Sequence, residues 1–403
     1  MGICWEPRPR DAQRAMDASC AGAPAGGAVR LAGVATIDDF TSIIPAGGVG
    51  SRLWPLSRAD APKFLHDLTG SGKTLLRATF DRLAPLTGPG RTMVVTGRSH
   101  RAAVERQIPE LEDANIVLEA DPRDSTVAIA LAAAILRRRE PDVIVGSFAA
   151  DHVIDDERAF RRAVVEAAAA ARAGFIATIG ITPTEPAIGF GYIRAGESAG
   201  IDGAPRATVV REFVEKPSAK VAQRYVDDGD YLWNAGMFIA RADVLLEELA
   251  KEEPELAGQI EELAEAWDEP ARRGPAVDRL WPQLKKIAID YAVAEPAAAR
   301  GRMVVVPGDF DWDDVGDFSA VAKLHNGGRG GRLAILGTEG IVLADSASGI
   351  VVSQSKRIVS VVGIHNVVVV DTPDALLVTT TDNAQRVKQV VDAVRRSGNT
   401  DAL

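Results

Sequence analysis

A doubly wound α/β unit with a mostly parallel sheet, followed by a smaller all-β unit, is the fold class this sequence predicts. Three observations point there. From Thr41 to Ile181, short apolar runs alternate with longer stretches of helical spacing, as strands buried between two layers of covering helices do. From about Gly340 the runs become short, Val/Ile-rich and regularly spaced, with turn residues between them, the texture of a sandwich or of a few coils of parallel β-helix. The length of 403 residues also exceeds what a single hydrophobic core usually serves.

Composition narrows the function classes. Apolar residues make up 46% and charged residues 25%, the balance of a soluble globular enzyme and not of a disordered chain. With 56 acidic against 46 basic side chains the formal charge is −10. That excludes proteins whose main work is to coat nucleic acid or anionic lipid, while leaving room for a phosphorylated small substrate held by a local cationic cluster. No apolar run reaches the roughly 18–20 residues of a membrane helix, so no membrane partner is expected. Cys4 and Cys20 are the only cysteines. A disulfide framework and a Cys-rich zinc site are therefore excluded, and a reducing cytoplasm fits.

Residues 1–40 are rich in Ala, Gly, Pro and Arg, show no sustained period and lack the apolar centre of a secretory signal; a mobile extension is expected there. In the unit expected over 41–330, the apolar run Ser42–Ala46 opens the pattern. Helical spacing follows over Thr74–Leu86, then the run Met93–Thr96 and a helix through Arg101–Pro109. Ile116–Leu118, a helix through Thr126–Arg139, Val143–Ser147, a helix through Glu157–Ala173 and Phe175–Ile181 continue the alternation. Asn326–Arg332, with four glycines, is the natural hinge. In the unit expected over 331–403, the strand candidates are Ile341–Ala344, Ile350–Ser353, Ile358–Val362, Val367–Asp371 and Ala375–Thr379, closed by a helix over Asn383–Arg396. The apolar edges of this unit need cover from the larger unit or from a second copy of the chain, as in a homodimer.

The segment Gly47–Lys63 carries the most chemical information. It reads Gly-Gly-Val-Gly-Ser-Arg-Leu-Trp-Pro-Leu-Ser-Arg, with Pro62-Lys63-Phe64 beyond. A glycine-rich turn directly after a strand lets backbone N–H groups close on phosphate oxygens. Arg52 and Lys63 add a forked and a point charge respectively. Two rival motifs fail on spacing. A dinucleotide fingerprint needs glycine where Leu53 stands, and a Walker loop ending in Gly72-Lys73-Thr74 needs glycine where Asp67 stands. Lys73-Thr74 is instead expected to start a helix.

That segment resembles the signature of the sugar nucleotidyltransferases, and its Arg-Leu-Trp-Pro-Leu-Ser-Arg wording resembles the mannose-1-phosphate guanylyltransferase branch. Further similar motifs follow in the family's order: Ala150-Asp151-His152-Val153-Ile154, Gly191-Tyr192-Ile193, Phe213-Val214-Glu215-Lys216-Pro217, Trp233–Phe238, Ile289–Val293 and Asp311–Gly316. The likeness runs over about residues 41–380. It implies a Rossmann-like catalytic domain with a small left-handed β-helix behind it. It also implies a reaction, in which the phosphate of mannose 1-phosphate attacks the α-phosphorus of GTP, releasing pyrophosphate without a covalent enzyme intermediate.

The resemblance implies roles as well. Ala46, Gly47, Gly48, Gly50 and Ser51 line the nucleotide, with Arg123 and Thr126 on the base side. Arg52 and Lys63 steady the pyrophosphate and Lys216 the sugar phosphate, while Gly191, Glu215 and Asn234 meet the sugar. Asp151 and Asp314 hold Mg²⁺. Joining two anions needs charge cancellation and alignment more than a general base, so these residue types suit the task. Plainer roles stand beside them: an aspartate after a strand often caps a helix or shapes a turn, and either Asp313 or Asp314 could do so. Trp233, Met237 and Phe238 read as core, His152 and the other histidines as structural, and Asp290 and Tyr291 as packing or pocket residues. The chain also departs from the family. Glu119-Ala-Asp-Pro-Arg-Asp-Ser-Thr126 stands where Glu-Pro-x-Gly-Arg-Asn-Thr is usual, which bears on guanine selectivity. Pro186-Ala187-Ile188-Gly189 replaces a polar Glu-Thr pair, which bears on the sugar. The alternatives to mannose-1-phosphate guanylyl transfer are transfer to another sugar 1-phosphate or from another nucleotide, and a non-catalytic nucleotide-sugar-binding paralogue.

Overall fold

The computed structural model describes residues 36–326, 332–337 and 339–403. The extension expected over 1–40 falls almost wholly outside them, as do residues 327–331 of the expected hinge. The chain runs through β1 (Phe40–Ala46), α1 (Leu75–Thr87), β2 (Thr92–Gly97), α2 (Arg101–Gln107), β3 (Ile116–Glu119), α3 (Asp124–Arg139) and β4 (Ile144–Ser147). A short β5 (Val153–Ile154), then α4 (Glu157–Arg172) and β6 (Ile176–Ile181), follow. Each except β5 lies within a few residues of its expected run, because strands buried on both faces leave an unbroken apolar stretch that is hard to misplace; no strand was expected at β5.

Periodicity marks no element between Ile181 and Asp317, yet this stretch is fully structured. It contributes β7 (Gly191–Ser198), β8 (Thr208–Val214), α5 (Ala219–Asp228), β9 (Tyr231–Arg241), α6 (Ala242–Glu252), α7 (Pro254–Trp267) and α8 (Pro270–Leu280). After α9 (Glu295–Ala299) come β10 (Met303–Pro307), β11 (Trp312–Asp313) and α10 (Phe318–Asn326). The nine-stranded sheet has the order β3-β2-β1-β4-β9-β6-β10-β8-β7. Its first four strands are parallel, as expected, and so is the β6/β10 pair. In the other half, β9 runs antiparallel to β4, β6 and β7, and β8 antiparallel to β7 and β10. The link from β7 to β8 is too short for a crossover helix, which leaves antiparallel pairing as its only option.

Alternate residues of β1 feed the two sides of the sheet, Ile43 towards α3 and α6–α9, Ile44 and Phe40 towards α1, α2, α4 and α5. The C-terminal unit has two walls. In one, β12 (Leu333–Leu336), β14 (Gly349–Ser353) and β16 (Val367–Asp371) stack in parallel. In the other, β13 (Val342–Asp345) pairs in parallel with β15 (Val359–Val362). Successive runs therefore alternate between walls, which makes the unit a β-helix, and β17 (Leu376–Thr380) closes it antiparallel to β16. Val351, Val361, Val367 and Val369 fill the inside. The outer face of the larger wall, with Ile350, Val352 and Val368, packs on Leu53, Trp54 and Phe318 of the first unit. The larger unit thus supplies cover for one apolar face. The last helix, α11 (Val387–Arg396), begins after a 3₁₀ turn over Thr381–Arg386.

Candidate active site

The glycine-rich loop leaves the C-terminal end of β1, flanked by parallel β2 and β4, where open α/β sheets place their ligands. Gly50 has φ +74°, and a Cβ there would lie 2.6 Å from Lys63 Cβ, so only glycine lets the loop lie against that lysine. Lys63 is fixed from both ends. Its N–H donates to Val49 O at 3.1 Å, and its buried ammonium pairs with Asp151 Oδ2 at 2.7 Å while donating to the Asp314 carbonyl.

Local pairing explains why residues 163 positions apart in sequence meet. β5 and β11 form an antiparallel ribbon with Val153 opposite Asp313 and Ile154 opposite Trp312. Asp151 and Asp314 flank that ribbon at the same end. The adjacent aspartates then divide their work. Asp313 Oδ1 accepts from Val315 N at 2.6 Å and shapes the turn, in which Val315 adopts φ +47°, whereas Asp314 lines the neighbouring cavity. Burial pushes the Asp314 carboxyl up to about 6, against the pull of Lys63 and with help from Asp313 and Asp151. Burial also raises Asp151, but Lys63 outweighs it and holds that carboxyl below its ordinary value.

On the side expected to meet the sugar, Gly191 starts β7, and a Cβ there would come within 2.5 Å of Glu215 Oε2. Glu215 carries Lys216, whose Nζ donates to Glu215 Oε1 at 2.8 Å. Asn234 is buried; its Oδ1 accepts from Thr178 Oγ1 at 2.9 Å and its Nδ2 donates to Asp290 Oδ1 at 3.0 Å. A cavity of about 240 Å³ joins these groups to the other half of the site, with Ser125, His152, Gly191, Glu215, Asn234 and Asp314 in its wall. A larger one of about 720 Å³ lies beyond Trp312 and Trp233, and no candidate site residue lines it.

Most of the expected site residues therefore converge. Lys63, Asp151 and Asp314 form one cluster, Gly191, Glu215 and Asn234 share the cavity with Asp314, and Lys216, outside its lining, pairs with Glu215. Gly48 and Arg52 are exposed on the loop beside Gly47 and Ser51, and among the described residues Arg52 forms no ion pair. Ala46 is buried, with its carbonyl accepting from Thr96 Oγ1 at 2.7 Å. Two further expected residues are engaged by protein groups. Thr126 is fully buried in α3, its amide donating to Ile287 O while its Oγ1 has no partner. Arg123 Nη1 donates to Leu284 O at 3.3 Å, and its buried Nε has no partner. The cause is shared: α3 is packed on nearly every side from Thr126 to Leu136, and its first turn is tied to the 284–289 segment.

Two side chains in the cavity, Ser125 and His152, were not expected there; Asp290, read as a packing or pocket residue, lines it too, and Glu119 lies outside its lining. Ser125 accepts from Ile289 N at 2.9 Å. His152 lines the cavity instead of only supporting the fold, edge-on to Trp312 at 5.2 Å; burial drops its pKa to about 4, so the ring is neutral near pH 7. Asp290 is raised to about 7 by burial and by the charge of Glu215. Glu119, at the end of β3, is likewise raised to about 7, chiefly by burial, and its Oε2 lies 3.1 Å from where a Gly47 Cβ would be. Its signal in the sequence was its place at the head of the Glu119–Thr126 stretch that departs from the family pattern.

Whether these residues suit a divalent cation can be judged from the donor set. Among the described residues there is no cluster of three or more His, Cys, Asp or Glu that would cage a metal. Mg²⁺ is held by one or two ionised carboxylates when phosphates and water complete its shell, and Asp151 and Asp314, brought together at Lys63, could supply them. The residues present fit.

Comparison with known proteins gives the same outline. A family model described as nucleotidyl transferase matches residues 41–329, and one described as a MannoseP isomerase/GMP-like beta-helix domain matches 337–394. The xanthan biosynthesis protein XanB of Xanthomonas campestris is 39% identical over 91% of this chain and 75% of its own length. The mannose-1-phosphate guanylyltransferase of Escherichia coli is 38% identical over 88% of this chain and 73% of its own. A Thermus thermophilus crystal structure titled mannose-1-phosphate geranyltransferase superposes with a TM-score of 0.77 at 32% identity, covering 89% of this chain and 99% of that one.

Proposed function

Because the chain belongs to the nucleotidyl transferase family, among members like mannose-1-phosphate guanylyltransferase, we propose that it transfers GMP from GTP to mannose 1-phosphate, giving GDP-mannose and pyrophosphate. The observation that carries this is the meeting of Asp151 and Asp314 around the Lys63 ammonium, with Asp314 in one cavity with Glu215 and Asn234. A phosphate-handling centre and a polyol-sized pocket thus open onto each other.

The chemistry needs little from the protein beyond alignment and charge. A phosphate oxygen of the sugar 1-phosphate, already ionised near pH 7, forms a bond to the α-phosphorus as the bond to the bridging oxygen of pyrophosphate breaks. No proton has to be removed, so no general base is called for. Lys63 and Arg52 hold the leaving pyrophosphate, and backbone N–H groups of Gly47–Ser51 face the triphosphate. Lys216 steadies the sugar phosphate, and Glu215 and Asn234 hydrogen-bond hydroxyls of the ring. Asp151 and Asp314 would hold Mg²⁺, which supplies neutralisation of the crowded phosphate oxygens when bound. A cytoplasmic location belongs to the same proposal; no helix of the described residues is long and apolar enough to cross a membrane.

The test is an incubation of the purified chain with mannose 1-phosphate, Mg²⁺ and each of four nucleoside triphosphates, with pyrophosphate release measured. GTP should be preferred at least about tenfold, the discrimination that one or two good base contacts give. A preference for UTP or dTTP overturns the assignment of the base, and release with glucose 1-phosphate but not mannose 1-phosphate overturns that of the sugar.

A further inference from the structure

The second half of the signature, Leu53–Arg58, does not face the cavity. It is bound to the C-terminal unit. Leu53, Trp54 and Leu56 are buried in the cluster formed with the outer face of the β12–β14–β16 wall and with Val387 and Val391 of α11. Trp54 Nε1 donates to Ala402 O at 2.6 Å. The Arg58 guanidinium forks onto Asp374, Nη1 to Oδ2 and Nη2 to Oδ1 at 2.7 Å each, and also reaches Thr372 Oγ1 at 3.3 Å. Asp374 sits in the turn between β16 and β17.

The Asp314 turn is held from the same side. Asp317 caps α10 by accepting from Ser319 N and Ala320 N through Oδ1, while its Oδ2 accepts from Gln385 Nε2 of the C-terminal unit. Val315 and Phe318, on either side of Asp317, are fully buried in the same cluster as Trp54. One rigid wall therefore contacts both segments whose inner sides carry the glycine loop and the Asp314 carboxylate. Those segments are otherwise joined by the Lys63 ammonium, through Asp151 and the Asp314 carbonyl.

We propose that the C-terminal β-helix is a clamp for the catalytic loops, with Arg58 and Asp374 positioning the glycine loop and Gln385, through Asp317, positioning Asp314. None of these four side chains lines the catalytic cavity; they act through backbone they hold in place. A forked arginine–carboxylate pair is the interaction best suited to this, because it fixes orientation as well as distance. Since Asp374 is half exposed, the pair adds little to global stability. Its use is local order, and a displacement of about 1 Å at reacting groups costs about a hundredfold in rate. The clamp is built on the phosphate-handling centre proposed above, but not on the identity of the base or the sugar.

Asp374→Ala, Arg58→Met and the double variant test it in two ways. In the ligand-free chain, hydrogen exchange followed by mass spectrometry should quicken at least about threefold in peptides covering Gly47–Arg58 in all three, with β3 and α3 unchanged, because loss of a local restraint raises local opening selectively. With whichever nucleoside triphosphate the parent prefers, each single variant should raise the nucleotide KM about five- to twentyfold. The double variant should be no worse than either single one, the non-additivity of a pair that acts as a unit. Gln385→Ala should quicken exchange over Asp313–Asp317 and leave Gly47–Arg58 unchanged. Unaltered exchange in Asp374→Ala overturns the clamp. So does a large effect of Arg58→Met that Asp374→Ala fails to reproduce, since Arg58 would then be contacting substrate directly. A parent chain that releases no pyrophosphate with any triphosphate overturns the proposed reaction, and the exchange measurement still decides the clamp.

Discussion

Gly191 shows how closely the proposed sugar side is fitted, because the space a methyl group would need is taken by the Glu215 carboxylate at 2.5 Å and by Asn234 Cβ at 3.2 Å. Gly191→Ala should therefore push Glu215 out of position, raising the sugar-phosphate KM while the nucleotide KM stays near that of the parent; overpacking of this kind costs about 1–3 kcal/mol. Steady-state kinetics with each substrate varied in turn checks it. Asp290, next to Asn234, gives a pH signature. Burial first and the Glu215 charge second raise its carboxyl from 3.8 to about 7. The folded chain thus keeps a proton that the unfolded chain has lost between those values. The stability gained is complete below the unfolded pKa and disappears as pH climbs through about 7, with an upper bound of about 4 kcal/mol. Asp290→Asn stays neutral throughout and keeps an acceptor for the Asn234 amide. Its Tm should equal or exceed the parent's at pH 8 and lose that advantage by pH 5. An equal Tm difference at both pH values would show that Asp290 does not carry the proton. Glu119, raised in the same direction, remains in the variant, so part of the slope should persist.

At the scale of elements, what could be read in advance depended on burial. β1–β4, β6 and the rungs β14 and β16 were legible because both faces of each are covered and unbroken apolar runs follow; β13 and β15 showed as Val/Ile runs although partly exposed, and β12 was not marked. β7 and β8 were not, since exposed and buried positions mix irregularly in them: β8 reads Thr-Val-Val-Arg-Glu-Phe-Val with Arg211 and Glu212 exposed; β9 and β10 were missed although they are buried along most of their length. The ribbon of β5 and β11 is two residues per strand and has no period at all, yet it brings Asp151 to Asp314. Only the motif resemblance could suggest that meeting. The helix start expected at Lys73-Thr74 in place of a phosphate loop did hold. Thr74 is the N-cap of α1, its Oγ1 accepting from Arg77 N at 3.2 Å and donating to Gln107 Oε1 at 2.9 Å. Thr74→Ala should cost about 1 kcal/mol, read as a lower urea midpoint with an unchanged m-value. The kcat should not move, because α1 touches the site only through packing; a loss of nucleotide binding would reopen the phosphate-loop alternative.

For the whole molecule, the decisive feature is that the two units share a core. Leu53 and Trp54 behind the glycine loop, Val315 and Phe318 behind Asp314, and Ile350 and Val368 of the β-helix belong to one buried cluster. A domain boundary drawn from texture alone, near residue 330, cuts the chain where its composition changes but not where its contacts end. Phe318 is among the largest side chains with no exposure, and it lies between the units. Phe318→Ala should therefore destabilise both together, by about 3–5 kcal/mol from lost burial and the cavity left behind. A cooperative two-unit fold would then unfold in one transition at lower denaturant, with intrinsic tryptophan fluorescence, far-UV circular dichroism and residual activity sharing a midpoint. Trp54 reports on the interface itself, buried beside the residue removed. Independent units predict the opposite: a fluorescence change at low denaturant that precedes the loss of helix signal, because the interface would part before the nine-stranded sheet opens.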